Sequence, residues 1–175
     1  MRVYLIGFMG SGKSTFGKKL AKRLSWDFID TDKAIEGQEG MTIPEIFEQK
    51  GEAAFRALER QYIQTTFALE NVIISCGGGT PCYFDTMDSL LQHGHVLYLK
   101  IDEGHLFERL RTRSAKRPLI AGKSDTELKD YIRNTLSARE AFYLKAHQII
   151  DPTSVKAKFV AEQIQKKSDG RHHIK

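Results

Sequence analysis

The chain has 175 residues, 41% of them hydrophobic and 28% charged, with a net charge of +5. A chain of this size buries roughly 70% of the surface its unfolded form exposes, enough for one core without disulfides or a structural metal. Disorder and a two-domain layout are therefore excluded as readings. With neither the ~20-residue apolar stretch of a membrane span nor the pattern of a signal peptide, a cytoplasmic protein is expected.

Val3, Tyr4, Leu5 and Ile6 form a continuous apolar run closed by Gly7, which predicts a short buried strand over Arg2 to Ile6. From Ser14 to Leu24 the period becomes helical, with Phe16, Leu20, Ala21 and Leu24 on one face. A second strand follows at Asp27 to Ile29, then the acidic turn Asp30-Thr31-Asp32. Helical material fills Lys33 to Glu70, broken near Gly40 and Gly51, and Thr42 and Glu45 have capping-box spacing with Pro44 between them. Val72 to Ile74 form a third strand, followed by the triple glycine Gly77, Gly78 and Gly79.

The second half continues the alternation: a helix at Phe84 to Gln92, a strand at Val96 to Ile101, a helix at Glu103 to Arg111 and a basic loop. A helix from about Asp125 to Leu144, a strand at Gln148 to Ile150 and a helix at Val155 to Lys167 complete it. Strands that are apolar throughout and alternate with helices predict a doubly wound α/β fold, a five-stranded parallel sheet with helices on both faces. One domain over 1–167 is expected, with 168–175 a disordered basic tail.

The charge is unevenly distributed. From Arg109 to Lys123 there are six basic residues and no acid, among them Arg111 and Arg117, and no aromatic for base stacking. Such a loop suits a compact polyanion such as nucleotide phosphates, and no nucleic-acid partner is expected. Cys76 and Cys82 lack metal or redox spacing and read as structural thiols.

Directly after the first strand, Gly7-Phe8-Met9-Gly10-Ser11-Gly12-Lys13-Ser14 matches the phosphate loop GxxxxGK[ST] in full and leads into a helix. In such a loop backbone N–H groups face the phosphates, the lysine reaches the β and γ oxygens, and the serine can ligate Mg²⁺. Ligands of parallel sheets gather at the carboxyl ends of the strands. There the second strand ends in Asp30 and Asp32, one suited to a water-mediated Mg²⁺ contact and the other to a hydroxyl acceptor, unless Asp32 merely caps the next helix. Three glycines after the third strand suit close approach of a ligand to the backbone, or a plain tight turn. Arg56 and Arg139 suit bidentate binding of a carboxylate, although Arg56 could instead pair with Glu52 or Glu59 along its own helix.

As a constellation these residues resemble the shikimate kinase family of P-loop enzymes. The matching stretches are GFMGSGKST at Gly7 to Thr15, FIDTD at Phe28 to Asp32, IFEQKGEAAFRALE at Ile46 to Glu59, the triple glycine, RPLIAG at Arg117 to Gly122 and REAFY at Arg139 to Tyr143. The resemblance implies a P-loop kinase fold with a mobile lid over about 112–124 and a substrate-binding helical region over about 33–60. It implies transfer of the ATP γ-phosphoryl group to the 3-hydroxyl of shikimate, on the route to aromatic amino acids.

In that reading Gly10, Ser11, Gly12, Lys13, Ser14 and Thr15 bind the nucleotide with Mg²⁺. Ser14 ligates the metal directly and Asp30 through water. Asp32 binds the acceptor hydroxyls as base, Arg56 and Arg139 clamp the carboxylate, and Gly77, Gly78 and Gly79 supply backbone contacts. Arg117 neutralises the transferring phosphate and Arg111 lies against adenine, with no adenine contact assigned to 151–157. The family leans towards a monomer that uses no membrane. The alternatives are a kinase for another small anionic acceptor such as gluconate, one for a nucleoside monophosphate, and a non-catalytic nucleotide-binding module.

Overall fold

The protein is described by a computed structural model covering residues 1–112 and 119–171, the side chains of the last three excepted. Five strands, β1 (Arg2–Ile6), β2 (Asp27–Asp30), β3 (Val72–Ser75), β4 (His95–Leu99) and β5 (Gln148–Ile150), form one sheet in the order β2-β3-β1-β4-β5. All four pairings are parallel, with Val3 of β1 opposite Ile73 of β3 and His95 of β4. Since β1 lies between β3 and β4, the chain fills one side of β1 before crossing to the other. The loop after β1 therefore opens at the switch point where α/β sheets bind ligands.

Successive β1 residues point to opposite faces, and both faces are covered. Val3 and Leu5 pack with Phe16, Leu20, Ala21 and Ile164 of α1 (Lys13–Leu24) and α7 (Ala157–Arg171). Tyr4 and Ile6 pack against Ile63 of α3 (Ile43–Thr65) and Leu90 of α4 (Thr86–His93). The same cluster takes in Leu106 of α5 (Glu103–Arg111) and Ile132 of α6 (Asp125–Tyr143). A small separate core of Ile35, Ile46 and Phe55 joins α2 (Thr31–Glu39) to α3 and carries the helical region over the sheet end.

The Thr42 and Glu45 capping box forms, with Pro44 in the first turn of α3. The expected breaks fall at Gly40 and Gly51, with φ of 64° and 81°. Several boundaries differ from expectation, among them those of α4, β4 and α7. Phe84 takes a left-handed φ of 55°, so α4 begins at Thr86 behind Asp85 rather than at Phe84. Strand β4 covers His95–Leu99, one residue earlier at its start and two at its end than the apolar run suggests. The Asp151 carboxylate accepts from the N–H and hydroxyl of Thr153 (2.8 and 2.6 Å), a local turn that delays α7 to Ala157. That helix then continues to Arg171, so the first part of the expected tail is helical. No helix among the described residues is long and apolar enough to cross a membrane.

Candidate active site

Gly7, Gly10 and Gly12 have φ of 140°, 81° and 92°, conformations that the loop after β1 requires and that side chains resist. At the start of α1 Gly12 offers no side-chain cap, so the first N–H groups of the helix are left for an anion. The Lys13 ammonium donates to the carbonyls of Gly7 (2.7 Å) and Phe8 (3.0 Å), held within the curve of the loop. One residue on, the Ser14 hydroxyl donates to Oδ2 of Asp30 at 2.6 Å. The predicted Mg²⁺ pair is thus assembled from α1 and the end of β2. Asp30, not Asp32, is the N-cap of α2, receiving the Lys33 N–H on Oδ1.

Asp32 is left to a different environment. Thr31 ties the ends of β2 and β3 together, donating its hydroxyl to Ser75 O and accepting from Gly77 N, both at 3.2 Å. The next side chain, Asp32, is thereby placed against Gly77. Its Oδ1 is one of two buried side-chain polar atoms without a hydrogen-bond partner among the described residues, the other being Ser11 Oγ. Both residues line one cavity of about 620 Å³, together with Lys13, Ser14, Asp30 and Gly77. Buried polar atoms are rarely left unsatisfied, so the orphans mark where a ligand's polar groups complete the site. Burial above all, then the Glu59 and Asp30 carboxylates, pushes the Asp32 carboxyl up to about 6.

None of Gly77, Gly78 and Gly79 is in the left-handed region, so the turn they form does not by its conformation require glycine. Space does: a Cβ on Gly77 would lie 2.7 Å from Asp32 Oδ1, and one on Gly79 would lie 2.6 Å from Arg56 Nη1. A Cβ on Gly78 would stand 3.4 Å from Arg139 Nη1. The glycines bring their backbone against the aspartate and both predicted clamp arginines. Tyr143 fixes the middle one from below, its buried hydroxyl donating to Gly78 O.

Arg56 makes both local pairs its sequence allowed, with Glu52 (2.9 Å) and Glu59 (2.7 Å), and still faces Gly79. The pairs and the clamp position coexist. Glu59 is almost completely buried and also accepts from the Thr80 hydroxyl at 2.5 Å, which anchors α3 to the glycine turn.

On the nucleotide side one arginine of the basic run meets the phosphate loop. Arg109, not Arg111, reaches the phosphate loop, donating from Nη1 to Gly10 O (3.2 Å) and Ser11 O (3.4 Å), and it lines the cavity with Pro152. Arg111 is exposed and pairs with Glu108 (3.1 Å) and Asp125 (3.7 Å). Arg109 belongs to the basic run read as suited to nucleotide phosphates, without a role of its own, and nothing local marks Pro152. Arg117 and the rest of 113–118, part of the expected lid, lie outside the described residues.

The phosphate loop and Asp32 share one cavity, and at the adjoining glycines the two arginines suit an anionic group. Fold and site together define a P-loop kinase for a small anionic alcohol. Comparison with known proteins narrows the class. The shikimate kinase family model matches residues 9–169. A curated shikimate kinase from Phocaeicola vulgatus is 43% identical over 148 residues, 85% of each chain. The crystal structure of shikimate kinase from Bacteroides thetaiotaomicron superposes with a TM-score of 0.89 at 37% identity, covering 97% of this chain and 98% of that one. A shikimate kinase from Acinetobacter baumannii in complex with shikimate gives 0.84 at 31% identity, over 99% and 95%. The chain belongs to the shikimate kinase family, and is an ATP-dependent kinase.

Proposed function

We propose that the chain transfers the γ-phosphoryl group of ATP to the 3-hydroxyl of shikimate, giving 3-phosphoshikimate and ADP. The observation that carries this reading is the placement of Asp32, Arg56 and Arg139 around one glycine turn beside the phosphate loop. The arginines hold the acceptor's carboxylate, Gly77 to Gly79 hold its ring through backbone groups, and the orphaned Oδ1 of Asp32 receives its hydroxyl.

In the transfer a bond forms from the hydroxyl oxygen to the γ-phosphorus, the bond to the β-γ bridging oxygen breaks, and the hydroxyl proton passes to the Asp32 carboxylate. A carboxyl pushed up to about 6 is ionised at neutral pH yet basic enough to take that proton. Phosphoryl transfer needs positioning and charge neutralisation more than covalent participation by the protein. Lys13 and the loop amides supply these at the phosphates. Arg109 sits at the loop where the nucleotide lies, whereas Arg111 would have to leave Glu108 and Asp125 to reach adenine.

The paired Ser14 hydroxyl and Asp30 carboxylate are hard oxygen donors that would hold Mg²⁺, which would neutralise charge on the nucleotide phosphates. The test is product identification: with MgATP and shikimate, ³¹P and ¹H NMR should show a phosphate monoester on C3. An ester on another hydroxyl, or ADP with inorganic phosphate alone, would overturn it.

A further inference from the structure

Arg56 is restrained from several directions. Its Nε and Nη2 donate to Glu52 Oε1 at 3.2 and 2.9 Å, and Nη1 donates to Glu59 Oε2 at 2.7 Å. A guanidinium carries five N–H donors, so these bonds leave one on each Nη, a pair that a carboxylate can accept side by side. With two carboxylates already on it, Arg56 contributes to anion binding through where those two N–H groups point rather than through net charge.

One residue touches both this guanidinium and its partner. Tyr83 follows the 3₁₀ turn Thr80–Cys82 that closes the triple glycine. Its ring centroid lies 4.2 Å from Arg56 Cζ, closer than Phe55 (5.3 Å) or Phe47 (5.8 Å). Its hydroxyl donates to Glu52 Oε1 at 2.9 Å, the same oxygen that accepts from Arg56. The Glu52 side chain is 55% exposed, so without the tyrosine little holds it on the Nε edge and away from the outer Nη groups.

The geometry points to Tyr83 as a positioning residue that fixes the Arg56–Glu52 pair for recognition of the acceptor's carboxylate, and so sets discrimination against acceptors without one. Its ring restrains the guanidinium plane, and its hydroxyl keeps Glu52 from competing with the substrate. The inference rests on Arg56 binding that carboxylate.

Steady-state kinetics of Tyr83→Phe, Tyr83→Leu and, as reference, Arg56→Lys with shikimate and its methyl ester test it. Losing only the hydroxyl should raise KM for shikimate about threefold, and losing the ring as well about tenfold, with KM for ATP unchanged. Rates with the ester should hardly move, so the preference for the acid falls by the same factors. In a Glu52→Gln background Tyr83→Phe should cost less than it does alone. Unchanged shikimate KM in both Tyr83 variants beside a raised one in Arg56→Lys would overturn the role of Tyr83 and leave the clamp standing. Equal losses with acid and ester would show a merely structural role. An unchanged shikimate KM in Arg56→Lys would remove the clamp, and Tyr83's role with it.

Discussion

Asp32 and Glu59 face each other across Gly77: a β-carbon on that glycine would lie 2.7 Å from Oδ1 of the one and 2.7 Å from Oε1 of the other. Glu59 spends its charge on Arg56 and Thr80, while Asp32 keeps a buried oxygen without a partner. The two carboxylates thus sit differently, one fully engaged by the protein and one with an oxygen open to a ligand. Burial beside Glu59 raises the proton affinity of Asp32.

That affinity sets a pH profile. The Asp32 carboxyl is pushed up to about 6, so kcat/KM for shikimate should fall on acidification through about pH 6 as one proton is bound. Activity that holds level down to pH 4.5, on protein still folded there, would remove Asp32 as the base.

The same group should leave a mark on stability. Its carboxyl moves from an ordinary 3.8 to about 6 in the folded chain, so its favourable contribution is complete below the lower value and lost as pH rises through the upper one. The difference amounts to at most about 3 kcal/mol. Asp32→Ala should abolish turnover yet gain stability relative to the parent between pH 4 and pH 7, measured by urea unfolding at both. A stability difference independent of pH would contradict the raised affinity.

Gly79→Ala probes the close approach to Arg56. The backbone there is right-handed, so alanine brings no conformational penalty of its own, and the cost falls on Arg56 Nη1, 2.6 Å from the new methyl group. Two carboxylates and Tyr83 keep Arg56 from yielding. KM for shikimate should rise at least about tenfold with KM for ATP little changed. A rise in both together would place the damage in the fold instead.

Arg139 has no carboxylate ion-paired with it among the described residues, unlike Arg56, and should carry more of the attraction for an anion. Arg139→Lys keeps the charge but loses the planar fork, and should weaken shikimate saturation by about tenfold or more. Unchanged saturation kinetics would remove it from the clamp.

Much of this was legible because it is local. The apolar run of β1, the phosphate loop, the capping box at Thr42 and the aspartate pair are each written within a few residues, and each forms. What the sequence left open depends on packing between distant segments. Arg109 and Arg111 are two apart on α5, about 200° around the helix, so only one can face the phosphate loop. The buried Leu110, which sits under Gly10, turns Arg109 that way. Whether Arg56 was a clamp or an ion-pair partner had no answer as an alternative, because the glycine turn lets it be placed for both. Tyr83 carried no periodic signal, and its meaning comes only from the turn that folds it over Arg56.

The most direct measurement is ADP release with MgATP, offering shikimate, gluconate, several nucleoside monophosphates and no acceptor in parallel. ADP formed with shikimate alone is the predicted result. Turnover with another acceptor and none with shikimate would contradict the account, and silence with all of them from folded, ATP-binding protein would contradict catalysis itself.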